Sequence, residues 1–270
     1  ARLPIDRVFT IRGAGTVITG TLWSGTVSAG DELEVLPSGR TSRVRSVQIH
    51  GEATETAEAG HRVALNLSSL STEEVRPGDF LATPDTVSAT DRFDADFTYL
   101  GAPASDKPLE SGACVHVSHG TREVTGRILR IGGGQPIERG ERVYAQIRLD
   151  EELPVSWRDH FIVRSYSPVH VIGGGVVLRA HPKRSTTATP EKIALLDALR
   201  DGDEIRAAEC AFLLEKAPVT CKALTQATGC GEASAQSALE ALEKSRKACR
   251  LAPAQAGAAE YFTTTRYVQK

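Results

Sequence analysis

The chain has 270 residues, a length that suits two or three domains. Hydrophobic residues make up 40% and charged residues 24%, the balance of an ordinary globular protein, with no apolar run long enough to span a membrane and no secretory signal at the start. The net charge of -2 gives no global field toward nucleic acid or membrane, so any RNA contact must rest on local patches.

From Val8 to Val87, short β-type runs (VFTI, TVITGTL, DELEVL, RVRSVQI, VALNL) alternate with the turn sequences SAGD, PSGR and EAGH. From Phe93 to Ala180 the pattern repeats in FDADFTYL, CVHVSHG, EVTGRILRI, RVYAQIRLD, HFIVRSY and GVVLRA. Short, evenly spaced strands with turn signals predict all-β barrels or sandwiches. No long helix interrupts either block, which argues against βαβ units. The reading is two consecutive β-barrel domains, 1–88 and 89–181, joined near Pro84 to Ala89.

After Ala180 the texture changes. HPKRSTTATPEK is polar and rich in Pro and Thr, a linker over 182–190. EKIALLDALRDG starts a helical region just after Pro190, and IRAAECAFLLEKA continues it with a second helix. In the next stretch Leu224 and Ala227 mark a short amphipathic helix, Gly229 to Gly231 a turn, and Leu239 and Leu242 a longer helix. KACRLAPAQAGAAEYFTTTRY reads as a β-hairpin. A helix-turn-helix followed by a hairpin predicts a winged-helix domain over 191–270.

The glycines of GAGTVITG invite a phosphate-binding reading, which their neighbours contradict. A P-loop needs GxxxxGK[ST], because the lysine neutralises phosphate and the hydroxyl binds magnesium. A dinucleotide fingerprint needs its last glycine to open a helix, and the β-branched residues here favour a strand. The better reading is a tight turn at Gly13 and Gly15, with Val17 facing inward and Gly20 marking a bend or bulge. No Ser-His-Asp elbow or HExxH motif occurs, so no catalytic and no metal residue is assigned. His116 and His119 read as ordinary strand residues, since zinc sites need three or four converging ligands. The five cysteines are odd in number and form no CxxC, which fits a reducing cytosol and small buried side chains. Methionine is absent even from position 1, so the chain reads as a segment cut from a longer protein.

LPIDRVFTIRGAGTVITGTLWSGTVSAGDELEV resembles the start of the second domain of translational GTPases of the elongation factor Tu class, with its glycine corner, TVxTG and GxVxxGDxLxV hairpin. AGHRVALNL matches the same domain further on, and FIVRSYSPVHVIGGGVVL resembles the last strands of the third domain. The likeness covers roughly residues 1–180. A helical extension beyond the third domain is expected of the bacterial selenocysteine-specific elongation factor, which carries winged helices there, and the chain is similar to the part of that factor beyond its GTPase domain. The resemblance implies delivery of selenocysteinyl-tRNA to the ribosome in the cytoplasm by a monomeric factor. GTP and Mg2+ would belong to a GTPase domain before Ala1, leaving no cofactor in this segment.

Where elongation factor Tu reads IED before VF, this chain reads IDR, and where that factor has asparagine in AGDN, this chain has Arg62 in AGHR. The resemblance places an aminoacyl pocket of one aspartate and two arginines on Asp6, Arg7 and Arg62. A selenol is an anion at neutral pH, whereas a thiol with a pKa of about 8.5 and a serine hydroxyl are not. Paired guanidiniums in a partly dehydrated cleft favour that anion. Asp6 would hold Arg7 or meet the aminoacyl ammonium. From the residues alone, Asp6 and Arg7 equally suit a surface pair worth under about 1 kcal/mol.

From Pro182 onward 13 Lys/Arg stand against 11 Asp/Glu, a net +2 that is weak for a phosphate-binding face. The recognition-helix position EASAQSALEALEKS is acidic, and Lys244, Arg246, Lys247 and Arg250 are the candidate RNA-backbone contacts. Binding of a messenger RNA hairpin is expected of modules outside this segment. Two other readings stand beside this one: the barrel pair of the sulfate adenylyltransferase GTPase subunit, which lacks the helical extension, and a DNA-binding regulator with a β-barrel ligand domain.

Overall fold

Alternation of apolar and polar residues lines a first barrel with Leu3, Ile5, Ile18, Val35, Val47 and Leu65, all fully buried in the computed structural model. The structure describes residues 1–11, 15–101, 107–215, 218–251 and 260–264. The first strands are β1 (Arg2–Ile11), β2 (Gly15–Thr21), β3 (Thr26–Ser28), β4 (Glu32–Leu36) and β5 (Arg40–Ile49). β6 (Glu52–Thr54), β7 (Thr56–Glu58), β8 (Arg62–Leu67) and β9 (Phe80–Ala82) complete this unit. The order β4-β9-β1-β2-β8-β5 closes on itself through β4–β5, while β3 and β7 form a separate ladder.

Gly20 answers part of the glycine puzzle. A Cβ there would lie 2.2 Å from the Pro4 carbonyl oxygen, so β1 and β2 approach more closely than any side chain allows. The β1–β2 ladder shifts register beside it, between Ile5 and Arg7. Gly15 takes φ +90, and Gly13 lies outside the described residues.

The second barrel comprises β10 (Thr90–Tyr99), β11 (Ala113–His119), β12 (Arg122–Arg130), β13 (Arg142–Leu153), β14 (His160–Ser165) and β15 (Val171–Arg179), closed in the order β10-β13-β12-β11-β14-β15. Phe93, Phe97 and Phe161 fill its centre. The glycines of IGGG have a structural role here: a Cβ on Gly175 would sit 2.0 Å from the Asp96 carbonyl oxygen.

Four helices follow: α1 (Pro190–Asp201), α2 (Glu204–Leu214), α3 (Cys221–Thr228) and α4 (Glu232–Lys244). The side chains of Thr189, Asp203 and Thr220 cap the first three, and Gly202 and Gly229 end α1 and α3 in the left-handed region. The hairpin is β16 (Ala248–Leu251) with β17 (Tyr261–Thr264), and Val219, before α3, bridges to Phe262. No helix among the described residues is long and apolar enough to cross a membrane.

The polar segment 182–189 has no regular structure, yet it is pinned to the second barrel. Gly132 N–H donates to Thr186 O at 2.9 Å and Gln146 Nε2 donates to Lys183 O at 3.0 Å. Ile131, Tyr144, Trp157 and Leu178 of the barrel share one core with Leu195, Leu196, Leu199 and Phe212 of the helices. Composition marks a connector, but the connector's own backbone groups anchor the helices on the barrel.

Candidate functional site

Strict alternation would send Asp6 and Arg7 to opposite faces of β1. Instead Ile5 and Val8, three residues apart, both pack into the first core. The bulge between Ile5 and Arg7 resolves the conflict, leaving Asp6 and Arg7 together on the outer side. Thr19 pairs opposite Arg7 across β1–β2, and Arg62 opens β8 opposite Thr21. Two strands, β1 and β8, with β2 between them, therefore bring the three expected residues to one surface.

The Asp6 carboxylate accepts from both terminal nitrogens of Arg62, with Nη2 to Oδ1 at 3.0 Å. It also accepts from Thr19 Oγ1 at 2.7 Å. Burial alone would raise the Asp6 pKa, but the bonds from Arg62 and Thr19, with the charges of Arg62 and then Arg7, hold it below the usual carboxylate range. Asp6 in turn raises Arg62 above its ordinary value. Arg7 is exposed and makes no hydrogen bond or ion pair among the described residues. The site thus carries two guanidiniums around one carboxylate, a net +1, with the Arg62 side chain half exposed at 50%. It offers an anion a cationic corner and offers an ammonium a fixed carboxylate.

The barrel seam was not legible beforehand. His119, read as an ordinary strand residue, is fully buried between Phe80, stacked at 5.2 Å, and Trp23, edge-on at 5.5 Å. Its Nε2 donates to Asp159 at 3.0 Å, and Arg2 binds the same carboxylate through two nitrogens at 2.9 and 2.7 Å. The Ser156 N–H adds a fourth bond at 2.7 Å. Burial would raise the Asp159 pKa, but His119 and Arg2 hold it down at about 2. His116 instead stacks on Tyr166 at the surface and faces Glu123 at 3.5 Å.

The seam between second barrel and helices is built differently. Asp94, wholly buried, accepts from Gln146 Nε2 at 2.9 Å through one oxygen. Its other oxygen has no hydrogen-bond partner and lies 3.5 Å from Lys192 Nζ, in the first turn of α1. Burial raises the Asp94 pKa and lowers that of Lys192.

At the far end, Lys244, Arg246 and Lys247 are exposed around the turn from α4 to β16. Arg250 is held by Glu243 at 3.2 Å and Glu260 at 3.0 Å and lies over the Phe262 ring. Its charge is already answered locally.

The description "Elongation factor Tu domain 2" matches residues 15–82, and "Selenocysteine-specific elongation factor, beta-barrel domain" matches residues 98–184. With two consecutive closed barrels behind them, these matches make the chain a segment of a translation elongation factor of the elongation factor Tu class. The selenocysteine-specific elongation factor of Desulfomicrobium baculatum is 41% identical over 177 residues, 66% of this chain and 27% of that protein. The one from Escherichia coli strain K12 is 31% identical over 199 residues, 73% of this chain and 30% of that protein. The chain belongs to the selenocysteine-specific elongation factors and spans about three tenths of the length of these relatives. The crystal structure of a bacterial selenocysteine-specific elongation factor superposes with a TM-score of 0.66 at 25% identity, over 84% of this chain and 35% of that one. Residues 1–181 are only about two thirds of the 270, so the superposition extends past the barrels into the helices.

Proposed function

We propose that this chain is the RNA-binding part of a factor that delivers selenocysteinyl-tRNA to the ribosome at recoded UGA codons, and that Asp6, Arg7 and Arg62 receive the aminoacyl group. The observation that carries this reading is the Asp6–Arg62 pair with Arg7 near enough for its charge to lower the Asp6 pKa, by way of a bulge that puts consecutive residues on one face. Arg62 is oriented by Asp6, and Asp6 by Thr19, so one cation of the pair is fixed before any ligand arrives. A selenolate adds the single negative charge that balances the site's net +1. A serine hydroxyl adds none and leaves the site's extra guanidinium without an anionic partner.

GTP dependence is assigned to a domain outside this chain. No GxxxxGK[ST] occurs in the sequence, and no residue here is given to nucleotide or magnesium. The order α2, Val219 bridge, α3, α4 and hairpin supports a winged-helix reading of the last unit. Its exposed Lys244, Arg246 and Lys247 are candidate backbone contacts, secondary to the barrels for tRNA. A cytoplasmic location follows from this role.

The test is filter binding of selenocysteinyl-tRNA against seryl-tRNA to the full-length parent and to its Arg7→Ala, Arg62→Ala variant. The expected result is loss of discrimination, with seryl-tRNA binding little changed. Full discrimination in the variant would end the proposal. Removing residues 191–270 is expected to leave affinity for aminoacyl-tRNA largely intact.

A further inference from the structure

We infer that Thr121, at the tip of the second barrel, is a positioning residue for the site on the first barrel: its hydroxyl holds the bulge from which Asp6 and Arg7 project. The functional half of this inference rests on the aminoacyl reading above; the geometric half does not.

Thr121 lies in the turn between β11 and β12, which presses on β1. A Cβ on Gly120 would come within 2.7 Å of the Phe80 ring and 3.1 Å of the Pro4 side chain. From this turn Thr121 Oγ1 donates to the Ile5 carbonyl oxygen at 2.8 Å. The same oxygen accepts the Gly78 N–H at 2.8 Å, and the Ile5 N–H donates to Asp79 O at 2.8 Å. Every hydrogen-bonding site of the residue before Asp6 is therefore used, one of them by the other barrel. Arg122, next in the turn, binds Asp79 at 3.3 Å and Glu151 at 2.6 Å, tying the Gly78–Asp79 loop to the same place.

A bulge is a break in the ladder, so its conformation depends on what holds the freed backbone groups. Removing one bond to the Ile5 carbonyl loosens the point at which Asp6 turns outward. Asp6 then carries the error to Arg62, whose guanidinium it orients. The first barrel's specificity site thereby depends on the seating of the second barrel.

The chain itself supplies the first experiment. The Asp6 carboxyl is titrated by carbon NMR, and the Arg62 side-chain N–H resonances are followed, in wild type, Thr121→Val and Thr121→Ser. Valine keeps the shape and loses the donor; serine keeps the donor. Thr121→Val should move the Asp6 titration up toward the ordinary carboxylate range and shift the Arg62 signals, and Thr121→Ser should restore both. Asp159→Asn, which weakens the seam elsewhere, should lower the melting temperature without moving Asp6. Unchanged Asp6 and Arg62 signals in Thr121→Val, or an equal change in Asp159→Asn, overturn the inference. In the full-length parent, Thr121→Val should cut the preference for selenocysteinyl- over seryl-tRNA about fivefold, the size of one net hydrogen bond. An intact preference there, with preference lost in Arg7→Ala, Arg62→Ala, defeats the functional half alone. Preference kept in both variants defeats the aminoacyl reading while the NMR result still stands for the geometry.

Discussion

The second barrel makes two seams, and each buries a carboxylate beside a cation with opposite results. Toward the first barrel, Asp159 accepts four hydrogen bonds, two of them from one planar guanidinium, and its pKa falls to about 2. Toward the helices, Asp94 keeps one oxygen without a hydrogen bond, the lysine stands off at 3.5 Å, and burial wins for both partners. Desolvation of a charge is offset only when its lone pairs are filled with good geometry. Arginine does this with a fork, and lysine as a point charge does not.

The largest expected effect comes from breaking the well-satisfied seam. Asp159→Ala leaves Arg2 and His119 buried without their acceptor and should cost about 3–5 kcal/mol in denaturant unfolding. A loss under about 1 kcal/mol would show that the seam opens readily and that the contrast is false.

Acid pH separates the two carboxylates by sign. The depressed Asp159 contributes stability that is present above its ordinary value near 3.8 and lost as pH falls toward about 2, roughly 2 kcal/mol in all. Asp159→Asn should flatten this acid arm of the stability curve. Asp94, raised by burial, has the opposite sign: its ionisation costs stability as pH rises above about 4. Asp94→Asn should therefore steepen the acid arm. Identical pH profiles for the two variants would contradict the assignment.

A smaller effect tests how tightly the helices sit. Trp157 Nε1 donates to the Leu199 carbonyl at 3.1 Å, and Trp157→Phe should cost about 1 kcal/mol, seen as faster hydrogen exchange near the end of α1. The smallest is the joint change Asp94→Asn, Lys192→Met. It removes both poorly compensated charges and should leave stability within about 1 kcal/mol of wild type, or raise it. A large loss would mean that the pair is worth more than its geometry indicates.

Much of the fold could be read from the residues, because period-two alternation and turn glycines are local signals. The six strands of the second barrel, five of the first, the four helical stretches and the closing hairpin announce themselves that way. The three-residue strands β3, β6, β7 and β9 do not, although β9 joins β1 to β4 in the first barrel. The site was less legible. Asp6, Arg7 and Arg62 were named by resemblance, and nothing in their own spacing shows that residues 56 apart share a bond. One local hint existed: Ile5 and Val8 are both apolar at a spacing of three, which breaks a strand's alternation. His119, Asp159 and Thr121 left no signal, since each is ordinary until another domain faces it.

The amino-acid order alone settled where the longer strands and the four helices run, because those preferences are decided within a few residues of chain, whereas the three-residue strands β3, β6, β7 and β9 exist only through their pairing partners. Tertiary contact decided the rest: that Asp6 and Arg7 look the same way, that the polar connector is pinned, and that one buried acid is held charged while another resists ionisation. A group's charge state and aim depend on which partners reach it through space, and those partners here come from strands and turns far along the chain.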